Sequence, residues 1–239
     1  MAKDDFPSSD ELLKSIRACI GNGERLLDDT LGLDYREPPA TTLYIAVIAQ
    51  EEFAKAFLLF LVREGIIPWS KQLLRAMHDH TCKQLVGVIL DYLNPPLDES
   101  YEQMMERIRE EVALGDDLPR RIADALTMLR YEKIGRWESS VWCWSEDPDY
   151  DLSVRKLAEG KRDRIKQDAL YVRIGADGRV ASHPCDTRKS FCEEELERAR
   201  SYARFLTSLV EAPDDRSEYM KIKSFIGLIF ADKLVVSPG

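Results

Sequence analysis

Glu51, Glu52 and Lys55 are the residues best placed to do chemistry, because they are three charges set inside a segment, Thr42 to Arg63, that is otherwise apolar. At 100° per residue Lys55 lies about 40° from Glu51 and about 60° from Glu52 on a helix surface, so its ammonium is expected to reach both carboxylates. The ordinary explanation of such spacing is an i, i+4 pair on a solvated strip. Here Val47, Ile48, Phe53, Ala54, Phe57 and Leu58 surround the triplet, and charges near a core must be paired or cost several kcal/mol each. Two carboxylates also exceed what one lysine neutralises. If the site is buried, a further cation, a metal or a raised carboxyl pKa is implied.

The histidines and the lysine of His78-Asp79-His80-Thr81-Cys82-Lys83 are the nearest candidates in sequence for that role. A helix beginning near Asp79 would put His80 and Lys83 in its first turn, where free N–H groups and the positive dipole end favour a phosphate and disfavour a protonated histidine. That combination suits a general base beside an anion. The plainer reading of His78 and His80 is a pair of surface or packing histidines.

These residues need helices to position them. Ser9 or Asp10 is a suitable cap for a first helix with the stripe Leu12, Leu13, Ile16, Ile20 and Leu27, ended by Gly32 and Pro38-Pro39. The segment TTLYIAVIAQEEFAKAFLLFLVREG is apolar nearly all round, so it should lie centrally in a bundle. The stretch from Pro68 to Leu93 reads either as one rod or as two helices broken near His78 to His80. Amphipathic helices are expected over Tyr101 to Ala113 and Leu118 to Tyr131, with Trp137, Trp142 and Trp144 in a less regular stretch after them. YVRIGADGRVASHP, two short extended runs around Gly175-Ala176-Asp177-Gly178, predicts a β-hairpin near 169–183. A charged helix from about Thr187 to Val210 and an apolar one from about Ser217 to Ala231 complete a mainly α-helical bundle, expected to form one domain over 1–239.

Composition narrows the classes. A chain of 239 residues, 44% hydrophobic and 32% charged with 12 Gly and 11 Pro, fits a globular helical protein and not a disordered one. The net charge of −9 argues against a protein that coats nucleic acid, which needs a broad basic surface. One local basic run stands out, Arg155, Lys156, Lys161, Arg162, Arg164 and Lys166, which reads as a solvated helix face or as a contact for a phosphate backbone. The tryptophans suit core or interface packing better than base stacking. Five widely spaced cysteines without C-x-x-C indicate reduced thiols and a cytoplasmic setting. No apolar leader opens the chain, and charges at the centre of a bilayer would cost about 2.5–3.5 kcal/mol each in the one long apolar segment. Neither secretion nor membrane insertion is expected.

Three stretches together resemble the abortive infection V (AbiV) proteins of bacterial phage defence. IAVIAQEEFAKAFLL is similar to that family's A-x-x-x-A-x-E-E-x-x-K helix, DHTCKQL to its H-x-x-K segment, and KQDALYVRIGADGRVASHP to its hairpin beginning L-Y-V, with Arg173 where the family pattern has an acid. The resemblance implies a HEPN-like helical bundle, often a homodimer, and in many such proteins a metal-independent ribonuclease that needs no cofactor. It also implies an R-x(4–6)-H motif, a spacing that Arg75 and His80 satisfy. On this reading His80 and Arg75 act on RNA, Lys83 binds phosphate, and Glu51, Glu52 and Lys55 organise the site, a buried carboxylate holding the histidine tautomer. The alternative is a non-enzymatic defence protein that binds a phage or host component such as part of the translation apparatus. A third reading sets a metal among Glu51, Glu52, His78 and His80, although the E-x-x-H pairs of di-iron bundles are missing.

Overall fold

The first helix is capped at Ser8, one residue before the expected Ser9 or Asp10. Ser8 accepts from the Glu11 backbone N–H while the Glu11 carboxylate accepts from Ser8, a reciprocal box that the S-x-x-E spacing dictates. The computed structural model describes residues 6–33, 36–94, 118–138, 149–212 and 217–231. The helix expected over Tyr101 to Ala113, and Trp142 and Trp144, lie outside these residues.

Helix α1 (Ser9–Leu31) packs along α2 (Ala40–Arg63), the central element. Within α2, seventeen of 24 residues are buried, as its all-round apolar surface requires. The two helices approach so closely at Gly23 that its Cα faces the Phe53 ring. The stretch after Pro68 is two helices, α3 (Lys71–His78) and α4 (His80–Leu93). Asp79 breaks the rod with ψ near 123° and caps α4, its carboxylate accepting from Cys82 N–H at 2.9 Å. Helix α5 (Arg120–Thr127) runs on as a π-helical stretch (Met128–Gly135) and a last turn (Arg136–Glu138), so the helix expected to end at Tyr131 extends beyond it.

Two short helices follow, α6 (Leu152–Ala158) and α7 (Lys161–Asp168), joined at Gly160, whose φ of 76° is the left-handed turn a glycine permits. The hairpin forms from β1 (Arg173–Ile174) and β2 (Val180–Ser182), paired antiparallel around Gly178, also at φ 76°. Asp168 at the end of α7 ties down both strands, accepting from Arg173 at 2.9 Å and from Ser182. Arg173, the departure from the family pattern, thereby has a partner. A short 3₁₀ turn (Pro184–Asp186) leads to α8 (Lys189–Glu211) and then α9 (Ser217–Ala231).

The protein is mainly α-helical with one small hairpin. Its main core joins α1, α2, α4, α5, α8 and α9 around Phe53, Phe57, Phe60, Leu85, Tyr202 and Tyr219. A smaller cluster packs the start of α2 against α7 and α8. Among the described residues no helix is long and apolar enough to cross a membrane.

Candidate functional site

Glu51 and Glu52 are adjacent in sequence, but a 100° step on α2 sends their carboxylates to different neighbours. Glu52 pairs with Lys55 at 2.6 Å on the side facing α1, where both charges act on the Cys19 thiol; burial, first of all, pushes that thiol up. Glu51 points instead between α4 and α7 and is 4% exposed. The expected sharing of Lys55 by both acids is therefore not what the structure shows: Lys55 serves Glu52, and Glu51 draws its cations from elsewhere.

Those cations come from two other helices. Lys83, 8% exposed and one turn into α4, places its ammonium 2.7 Å from Glu51 Oε2. Lys166, 5% exposed near the end of α7, lies 3.0 Å from Oε1 and 2.9 Å from Asp163. Lys166 is the member of the site that the sequence did not single out; it sits in the basic run that resembles a solvated face. Its i, i+4 relation to Arg162, with Ile165 between them, marks the face of α7 that turns inward.

His80 opens α4, and its Nδ1 is 2.7 Å from Glu51 Oε2 and 2.9 Å from Lys166 Nζ. The Glu51 carboxylate can only accept and the Lys166 ammonium can only donate, so Nδ1 cannot serve both; Lys166 already donates to Glu51 and Asp163, which leaves Nδ1–H to donate to Glu51 and, in the neutral ring, the lone pair on Nε2. The side chain is 48% exposed, in contrast to the buried carboxylate behind it. Burial by itself would raise the Glu51 carboxyl. The hydrogen bond and charge of Lys83, the charge of Lys166 and the hydrogen bond to His80 outweigh it, holding Glu51 below the usual carboxylate range. Of the three answers the excess carboxylate allowed, the structure supplies further cations.

The remaining candidates lie apart. Arg75, exposed on α3, lays its guanidinium over Trp137 at 4.8 Å from the ring centroid and makes no hydrogen bond or ion pair with His80 among the described residues. His78 is exposed at the end of α3. The Lys83 ammonium is held on Glu51, so its contact is with the carboxylate and not with a surface where phosphate would arrive. Two ammonium groups and an imidazole crowd Glu51, and no group of three His, Cys, Asp or Glu is arranged to hold a metal among the described residues.

A second buried polar cluster adjoins the first. Glu195 of α8, 4% exposed, accepts from Gln50 at 2.8 Å, from Arg162 at 2.5 Å and from Arg198. Arg162 also donates to Gln50 Oε1 at 2.7 Å. Arg198 reaches Asp91 of α4 at 3.3 Å, and the buried Tyr202 hydroxyl donates to Asp91 at 2.6 Å. Between the clusters lies a cavity of about 10 Å³ bordered by Glu51, Lys83, Gln84, Arg162 and Tyr202, room for about one water molecule. Buried Gln84 has both amide atoms without a partner among the described residues.

The class of this helical bundle comes from the family comparison: the model of the AbiV family of HEPN proteins matches residues 11–203. The chain is a member of the AbiV family, and abortive-infection defence is the function that membership assigns. No curated protein and no solved structure matches the chain significantly. The match ends within α8, so α9 lies outside it.

Proposed function

We propose that the protein is a metal-independent ribonuclease whose general base is His80. The observation that carries this reading is the pairing of His80 Nδ1 with the buried Glu51 carboxylate at 2.7 Å while the rest of the ring stands half-exposed. Glu51 fixes the ring and its tautomer, so Nε2 is the atom that takes the proton from a ribose 2′-hydroxyl. The freed oxygen attacks the adjacent phosphorus, the bond to the 5′-oxygen breaks, and solvent protonates that oxygen, leaving a 2′,3′-cyclic phosphate and a 5′-hydroxyl end. Lys83 and Lys166 act one step back, as positioning residues that keep Glu51 ionised. Arg75, engaged with Trp137, is assigned no step.

The test is cleavage of RNA by purified protein in the presence of a metal chelator. Wild type is expected to release cyclic-phosphate ends and His80→Ala to release none while keeping its helical circular dichroism. Equal cleavage by the two proteins would sink the proposal. One observation favours a second reading: every charge around Glu51 already has a partner within the chain. That closure suits a non-enzymatic defence protein that binds a phage or host component, and on this reading His80→Ala retains phage protection.

A further inference from the structure

Helices α6 and α7 meet at Gly160, and the notch they form with α8 and Val47 of α2 is a cleft of about 260 Å³. Four cations border it, Lys156, Lys161, Arg162 and Arg198, against the single carboxylate of Glu195. The two arginines already bind that carboxylate, and Arg198 also binds Asp91. The two lysines are different. Lys156 has no hydrogen-bond or ion-pair partner among the described residues, and Lys161 is 4.0 Å from Glu159 with both side chains more than half exposed, a screened pair worth little. One unpartnered and one weakly paired positive charge thus border a cleft whose wall includes the half-buried Phe191 and Ile165. A cationic rim over an apolar floor selects a ligand with a compact double negative charge and a flat apolar body.

We propose that this cleft binds a small phosphomonoester, at a site separate from His80. The dianionic phosphate sits between Lys156 and Lys161 and within reach of Arg162, and the flat body packs on Phe191. The volume is just under the usual range of about 300–1,000 Å³ for ligand pockets, which suits a small ligand. Arg162 is one helical turn from Lys166 on α7, so the phosphate and Glu51 are held by the same short helix. This assignment does not rest on the ribonuclease reading.

Calorimetric titration of the full chain with adenosine 5′-monophosphate and with adenosine tests the site. The monophosphate is expected to bind and the nucleoside not to. The exposed-site double variant Lys156→Ala, Lys161→Ala should weaken the monophosphate by about tenfold or more at unchanged Tm, while His80→Ala leaves it alone. A 5′-phosphorylated oligonucleotide that binds with the same sensitivity to the double variant makes the ligand a nucleic-acid end; binding of the free mononucleotide alone makes it a metabolite. The proposal is overturned if neither phosphorylated probe binds saturably up to roughly 1 mM, if adenosine binds as well as its monophosphate, if the double variant binds as tightly as wild type, or if binding is lost in His80→Ala.

Discussion

Replacing Glu51 by glutamine keeps the shape of the side chain and removes one negative charge from a cluster that holds two buried ammonium groups. Truncating one partner of a buried ion pair costs about 3–5 kcal/mol, chiefly because the other charge is left uncompensated. The low end applies here, about 3 kcal/mol, since the amide oxygen still accepts from one lysine and Asp163 keeps its 2.9 Å contact with Lys166. At about 2–4 °C per kcal/mol for a chain of this size, Tm should fall by about 6–12 °C. The neighbouring substitution Glu52→Gln is an internal control, because the Glu52–Lys55 pair is more exposed and should cost at most about 1 kcal/mol. Thermal and urea unfolding of the two variants, side by side with wild type, measure the difference. Equal costs, or a loss below about 1 kcal/mol for Glu51→Gln, would show that the buried cluster does not hold Glu51 as the geometry implies.

A methyl group added at Gly23 would lie 2.5 Å from two atoms of the fully buried Phe53 ring; Gly23→Ala should therefore destabilise by about 1–2 kcal/mol despite its better helix propensity, and Phe53→Leu in the same chain should recover part of that loss in a double-mutant cycle. Glu51 and Glu195 are both held below the ordinary value of 4.5, so the unfolded chain binds protons that the native one does not. Their stabilisation is complete above that value and is lost as pH falls below it through the lowered native values; urea midpoints should hold steady from neutral pH down to about 5 and drop below it, less steeply in Glu51→Gln.

The central helix and its charges were legible because charge inside an all-round apolar segment is an anomaly; the stretch after Pro68 allowed one rod or two, and the Asp79 N-cap decides for two. Which carboxylate faced which partner was not. Angular spacing on one helix describes only that helix, and Glu51 is oriented by Lys83 and Lys166 from 32 and 115 positions away in the chain. Lys166 was hidden among residues that look like a solvated face, and Glu195 within the acidic run of α8, whose neighbours Glu193 and Glu194 are exposed. The π-helical stretch after Thr127 was hidden for a different reason, since it breaks the 3.6-residue period on which helix reading rests.

Helix α7 is only eight residues long, far below the ~12–15 at which a helix holds itself together in water. Arg162, Lys166 and Asp168 fasten it to Glu195, to Glu51 and to the hairpin. Its helicity is thus borrowed from its surroundings, and detachment at any one anchor loosens the other two. The two polar clusters and the hairpin are consequently expected to share a single local-opening equilibrium, which native-state hydrogen exchange would read as one cooperative unit.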